Sequence, residues 1–283
     1  MDTEARIFFP RGMIQPEGGY RFSLDPLLLA CFARVKKGVR LVDLGTGCGV
    51  AALAALLRHE AKDSPEPART PGSPDTLETL EIPSKPSVSA LGLDIDPAMV
   101  EAAARNAARL GLEEAFGARL LDIRQVRSEL APEFFGLALL NPPYRPLETG
   151  RACGGPERTK ARFEAQGGLE DFLDATAWLL ANRGAAALVY PAGRLAQLLH
   201  GLVERRLTPK RLRLVHSRLE EPAKLVLLEA VKNGGAGLTV EPPLALYGRQ
   251  TGSTGQDGHK GQPAAARLSA AALEFCPFLA CNA

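Results

Sequence analysis

The sequence predicts an α/β protein built on a mostly parallel, doubly wound sheet. Short apolar runs that read as strands alternate with Ala- and Leu-rich helical stretches. A cluster of alternating glycines, Gly45-Thr46-Gly47-Cys48-Gly49, follows the first core strand directly. Acids or an asparagine close the later strands, and the C-terminal ends of strands are where such sheets bind ligands.

Taken in order, residues 5–22 read as a short β-containing lead punctuated by Pro10, Gly12, Gly18 and Gly19. Ser23 or Asp25 is suited to cap a helix bearing Leu27, Leu28, Leu29, Cys31 and Phe32. Residues 40–44 form the first core strand, and a helix is expected from Val50 to near Arg58. Residues 62–87, rich in Pro, Ser, Thr, Glu and Lys, read as a disordered surface insertion. A second strand over 88–93 runs into Asp94, and Pro97 opens a helix that Gly111 ends. A third strand is expected over 118–122 and a fourth over 135–140, which leads into Asn141-Pro142-Pro143-Tyr144. After a Gly- and Arg-rich loop come a helix (169–181), a strand (185–190), a helix (194–206) and strands over 211–216 and 225–232. Residues 250–265 read as flexible, and one short helix can close the chain.

The 283 residues, 46% of them hydrophobic, suit one large domain. No apolar run reaches the roughly 18 residues of a membrane span. Met1-Asp2-Thr3-Glu4 lacks the basic-then-apolar layout of a secretory signal, so a cytoplasmic protein is expected. Five cysteines (Cys31, Cys48, Cys153, Cys276, Cys281) form no CxxC pair and do not cluster with the four histidines, which argues against a metal site or a disulfide framework. The net charge of +2 says little about partners.

Gly45, Gly47 and Gly49, with Asp43 two residues ahead, let a backbone turn tightly and approach a ligand closely. The dinucleotide fingerprint would need its third glycine at position 50, which is Val50. The alternate spacing is that of S-adenosylmethionine loops. Asp94, followed by Ile95, lies about 20 residues past the glycines once 62–87 are set aside, the spacing of an acid that accepts from ribose hydroxyls. Asp96 is the better helix cap, directly before Pro97. Asp122 can accept from an adenine amine while Ile123 covers the ring, or it is an ordinary loop carboxylate. Asn141-Pro142-Pro143-Tyr144 fits the methylation of a planar amine. The Asn141 amide oxygen and the Pro142 carbonyl can each accept one amine hydrogen, Pro143 stiffens the turn, and Tyr144 offers a stacking face.

These residues in this order resemble the Rossmann-like class I methyltransferases that modify exocyclic amines. More narrowly, Gly19-Tyr20-Arg21-Phe22-Ser23-Leu24-Asp25, Ala161-Arg162-Phe163-Glu164, Pro209-Lys210-Arg211-Leu212-Arg213 and Pro242-Pro243-Leu244-Ala245-Leu246-Tyr247 are similar to the tRNA1(Val) adenine-37 N6-methyltransferase family. The resemblance covers about residues 7–248. It implies a seven-stranded, mostly parallel sheet with the last strand antiparallel and helices on both faces. It also implies S-adenosyl-L-methionine as cofactor and adenine N6 in tRNA as acceptor, with Ser23 and Asp25 near the cofactor's mouth. On this basis residues 1–37 form a lead and helix over the cofactor site, 38–248 the methyltransferase domain, and 249–283 a flexible tail. Residues 62–87 and the stretch beyond Gln250 depart from the family.

Eight Lys or Arg between Arg194 and Lys224 face three acids, and the loop after the amine motif adds more. Arg145, Arg158, Lys160, Arg162, Lys210, Arg211 and Arg213 are therefore candidates for an RNA backbone, unless they are solvated arginines and lysines of an ordinary surface. A monomer is expected. Glutamine N5-methylation of a protein uses the same turn, but such enzymes usually carry a helical substrate domain in front. Guanine N2-methylation of rRNA, DNA adenine methylation and a non-catalytic SAM- or RNA-binding module are also compatible with parts of the pattern.

Overall fold

The computed structural model describes residues 3–16, 23–63, 88–143, 167–248 and 267–282. Seven strands make the core sheet: β1 Arg40–Leu44, β2 Ser89–Asp94, β3 Phe116–Leu120, β4 Phe135–Leu140, β5 Leu180–Pro191, β6 Leu207–His216 and β7 Leu225–Lys232. Their order is β3-β2-β1-β4-β5-β7-β6. All run parallel except β7, which is antiparallel to both neighbours. Two two-residue strands, β8 Thr239–Val240 and β9 Leu244–Ala245, extend the sheet beyond the seven expected by pairing with β6.

The helices are α1 Thr3–Ile7, α2 Asp25–Phe32, α3 Val50–Asp63, α4 Pro97–Arg109, α5 Val126–Glu129, α6 Leu169–Leu179, α7 Leu195–Glu204 and α8 Ala270–Phe275. Side chains alternate across a strand, so each strand serves two cores. Leu41, Leu139 and Val189 pack with α2, α3 and α4 on one face. Val42, Leu44, Leu140 and Leu188 pack with α5, α6 and α7 on the other. Burial on both faces explains why the central strands read as near-continuous apolar runs. α4 starts where its signals place it: Asp96 Oδ1 accepts from the Ala98 N–H at 3.0 Å and Pro97 takes the first turn. It ends at Gly111, whose φ of +60° an L side chain rarely adopts.

Several expectations differ from the structure. The lead holds a helix, α1, in place of a strand. Arg6 of α1 donates from Nε to Leu110 O at 2.5 Å and from Nη2 to Gly111 O at 3.3 Å, just past the end of α4, where carbonyls lack intrahelical partners. Neither Ser23 nor Asp25 caps α2: Leu24 holds that position, Asp25 lies in the helix, and Ser23 Oγ accepts from the Asp25 N–H at 3.3 Å. α3 runs to Asp63, and the expected insertion lies otherwise outside the described residues. β3 ends at Leu120, which frees Asp122 to cap the short 3-10 turn Ile123–Gln125. Most of the flexible stretch expected near the end also lies outside the described residues, yet residues 267–282 are packed. Leu268 bridges Tyr247, Ser269 Oγ caps α8, and Ala272, Cys276 and Leu279 are fully buried. Phe278 sets its ring edge-on to Phe9 at 5.2 Å. Among the described residues no helix is long and apolar enough to cross a membrane.

One buried ion network fastens α2 to the sheet. Arg211 of β6 donates from Nη2 to Phe32 O at 2.6 Å and to Glu229 Oε2 at 2.9 Å, and from Nη1 to Glu241 Oε1 at 3.1 Å. Its guanidinium also stacks on the Phe32 ring at 3.8 Å. Removing one member of a buried pair strands the other charge. The substitution Arg211→Leu is therefore expected to lower unfolding free energy by roughly 3 kcal/mol in urea titrations; a loss below about 0.5 kcal/mol, the range of a plain surface substitution, would contradict the assignment.

Candidate active site

The ends of four adjacent strands meet at one level. Leu44 of β1 pairs with Leu93 of β2 on one side and Leu140 of β4 on the other, and Leu93 pairs with Arg119 of β3. The residues that follow are Gly45, Asp94, Asn141 and Leu120. Neighbouring strands lie about 4.8 Å apart, so Asp94 and Asn141 face the loop after β1 from either side, two strands or about 10 Å apart. The strand order reverses between β1 and β4, and a ligand crevice forms at that point.

The three glycines adopt φ of +66° at Gly45, +57° at Gly47 and +89° at Gly49. Two of them also accept close neighbours. A methyl group on Gly45 would meet Phe172 Cζ at 3.1 Å, and one on Gly49 would meet Leu53 Cδ1 at 3.0 Å and Ala103 Cβ at 3.3 Å. At Gly47 nothing among the described residues stands within 4 Å, so on their side the middle of the loop is open.

Asp94 fixes this loop. Its Oδ2 accepts from the Gly47 N–H at 2.8 Å and its Oδ1 from the Asp96 N–H at 2.9 Å. Burial pushes its carboxyl above the ordinary 3.8, against the pull of these N–H groups. A carboxylate accepts at about four sites, so capacity remains for ribose hydroxyls. Ile95, half-buried, follows directly. Asp43 lies beneath the loop, 2% exposed, and its Oδ2 accepts from Thr46 Oγ1 at 2.8 Å. Burial pushes its carboxyl up to about 7, while the Thr46 hydroxyl and the Ala52 N–H pull it down.

Asp122 differs. Arg124 holds its carboxylate through Nε at 2.9 and 3.0 Å and Nη2 at 2.5 Å, which keeps it below the ordinary value. An adenine amine at this carboxylate would share it with Arg124 or displace that exposed side chain. Ile123 beside it is buried. Asn141 is partly exposed and Pro142 buried, and the Asn141 amide has no hydrogen-bond partner among the described residues. Tyr144, Arg145, Arg158, Lys160 and Arg162 lie outside the described residues.

The basic cluster read from the sequence divides in space. Lys210 and Arg211 occupy the first half of β6, away from its C-terminal end. Lys210 Nζ donates to Gly235 O and Ala236 O, and Arg211 is buried in the network above. Arg213 ion-pairs with Glu241 at 2.8 Å and lies over the Phe275 ring. Arg211 and Arg213 are thus structural cations, a correction forced by their carboxylate partners. Arg205 likewise pairs with Glu170 and Asp174. At the C-terminal end of the sheet remain Arg194, after β5, and Lys224, before β7. Their two turns abut through the Ala192 N–H and Lys224 O at 3.0 Å, and neither side chain makes an ion pair with a described residue.

Three residues of the site escaped the sequence. Thr46 is the partner of Asp43. Gly92, beside Asp43 on β2, leaves the room Thr46 needs, since a methyl group there would meet Thr46 Oγ1 at 2.8 Å. Asn106 of α4 donates to the Cys48 carbonyl inside the loop at 3.0 Å. Its signal was legible as a lone amide in the buried stripe Met99, Ala102, Ala103, Asn106, Ala107.

The Asp43 shift has a definite sign. With a folded value near 7 against 3.8 unfolded, the folded state holds the extra proton between those limits. The associated stability is fully present below the unfolded value and is lost as pH rises through the folded one. Relative to Asp43→Asn, the protein should lose unfolding free energy as pH rises from about 4 to about 7, with about one proton's slope, and level off above that in denaturant titrations. Parallel curves for the two proteins over that range would contradict the shift.

No protein-family model matches the chain. It is 25% identical over 211 residues to a tRNA1(Val) (adenine(37)-N6)-methyltransferase of Photobacterium profundum, across 75% of this chain and 77% of that protein. A protein of the same name from an Enterobacter species is 28% identical over 167 residues, across 59% of this chain and 57% of that protein. The chain's match thus spans little more than half the length of the second relative. Among solved structures, a predicted O-methyltransferase, protein Atu636 from Agrobacterium tumefaciens, aligns over 78% of this chain and 87% of its own with a TM-score of 0.56 and 20% identity. At that identity the likeness concerns the fold alone. The chain has the Rossmann-like class I methyltransferase fold, the fold of S-adenosyl-L-methionine-dependent enzymes, and it resembles the tRNA1(Val) (adenine(37)-N6)-methyltransferases.

Proposed function

We propose that this protein transfers a methyl group from S-adenosyl-L-methionine to an exocyclic amine, and that the amine is N6 of an adenine in tRNA. The observation that carries this reading is the register of β1 and β4. The Leu44–Leu140 pair sets Asn141-Pro142 directly beside the glycine loop, with Asp94 on the loop's other side.

The residues present fit that cofactor. The open position at Gly47 leaves room against the loop, and Asp94 keeps acceptor capacity for ribose hydroxyls. Asp122 and Ile123 lie one strand further on, where an adenine would rest. When bound, the cofactor supplies a methyl group on a positively charged sulfur. Asn141 and Pro142 act on the acceptor. The Asn141 amide oxygen accepts one hydrogen of the planar amine and the Pro142 carbonyl the other, which draws the nitrogen lone pair out of conjugation. Holding that lone pair in line supplies much of the rate. The amine proton leaves to solvent after the N–C bond forms, so no base is needed before attack.

Support for RNA comes from Arg194 and Lys224, which leave two cations at the acceptor end of the sheet, and from the names of the two relatives.

The direct test is methyl transfer from radiolabelled S-adenosylmethionine to unmodified tRNA, followed by nucleoside analysis. Labelled N6-methyladenosine is the expected product. Asn141→Ala should lower the rate roughly 10²–10³-fold, the scale seen when one stabilising contact is removed, with S-adenosylhomocysteine affinity retained. Label appearing in protein or in guanine would replace the acceptor, and an active Asn141→Ala would remove the mechanism.

A further inference from the structure

Asn106 is an amide where packing alone calls for a small apolar residue. It lies on α4 in register with Met99, Ala102, Ala103 and Ala107, and it is 1% exposed. Three hydrogen bonds satisfy it, as burial of an amide demands. Oδ1 accepts from the Ile14 N–H at 2.7 Å, and Nδ2 donates to Ile14 O and to Cys48 O, both at 3.0 Å. One side chain therefore grips the backbone of the N-terminal lead at both polar groups and the glycine loop at a third.

The loop contact falls at a sensitive place. The Cys48 carbonyl belongs to the stretch between Gly47 and Gly49. Gly47 carries the N–H held by Asp94, and Gly49, at φ +89°, is where Leu53 and Ala103 leave a side chain little room. α4 in turn begins just after Asp94, whose Oδ1 accepts from the Asp96 N–H. Asp94, the loop, Asn106 and α4 thus form a closed hydrogen-bonded ring, to which the lead is fastened at Ile14. Arg109 also holds the lead, through Gly12 O, but from the end of α4 away from the loop.

We infer that Asn106 is a positioning residue for the cofactor site: it locks residues 3–16 onto the glycine loop, so that ligand on the loop and the seating of the lead are coupled. The coupling is reciprocal, as linkage requires. The inference rests on the glycine loop being the cofactor's cradle. An alanine at 106 would pack but would break the ring; an aspartate would set a carboxylate against two carbonyl oxygens.

Hydrogen exchange by mass spectrometry, with and without S-adenosylhomocysteine, tests this in the full chain. In the wild-type protein the ligand should slow exchange in the glycine loop and across residues 3–16. Asn106→Ser should bind about ten-fold more weakly, the scale of one buried hydrogen bond, and should keep ligand protection of the loop while losing it in the lead. A purely structural role would lower the melting temperature and leave the ligand's effect on the lead intact. Undiminished protection of 3–16, or unchanged affinity, in Asn106→Ser would overturn the inference alone. Should that variant fail to fold, Ile14→Pro removes the N–H that Asn106 accepts and must give the same loss of coupling. No binding by the wild-type protein would overturn the cofactor reading and the inference with it.

Discussion

A buried carboxylate, Asp94, bonds at once to the Gly47 N–H and to the Asp96 N–H. The first bond closes the glycine loop onto β2, and the second starts α4 beside it. Both are charge-assisted, and such bonds are shorter and stronger than neutral ones. They offset part of the cost of burying the acid, a cost visible in its raised carboxyl value. The crevice therefore has a wall set by electrostatics and a floor set by glycine geometry. Asp43 beneath adds a second acid, and Thr46 is the local answer to that burial: its hydroxyl and the Ala52 N–H hold the carboxyl to about 7.

At the sheet's other flank buried charge is matched by opposite charge instead. Arg211 reaches Phe32 O at the end of α2 and is matched by Glu229 and Glu241, with Arg213 completing the set. Two cations are matched there by two carboxylates. Charges counted along the chain place these arginines on an RNA face; charges counted in space put them in the scaffold. Sequence proximity is a poor guide to a basic patch when a strand carries the residues: Arg211 and Arg213, two apart, share a face, and on that face both meet Glu241.

The sheet was legible because its strands are short apolar runs between strong punctuation. β4 is placed to the residue, and α4 is framed by Asp96, Pro97 and Gly111. The chemistry-bearing strand ends were legible for the same reason, since local signals fix where strands stop. The lead was not, because Pro10 and Gly12 read as turns around a strand while α1 is held by long-range bonds from Arg6 to residues 110 and 111. Thr46, Gly92 and Asn106 share that character. Each acts through a partner set by the fold or through space left empty; local pattern marks Asn106 as a lone amide on a buried face but does not name its partners. The packing of residues 267–282 is another such case, resting on contacts to Phe9, Leu246 and the core.

A crystal structure with S-adenosylhomocysteine bound tests the proposed site most directly. The expected result is ribose hydroxyls on the Asp94 carboxylate, the ligand's chain against Gly47, and its sulfur facing Asn141. Ligand elsewhere on the molecule, or a sulfur directed away from Asn141 with Asp94 making no ligand contact, would contradict it.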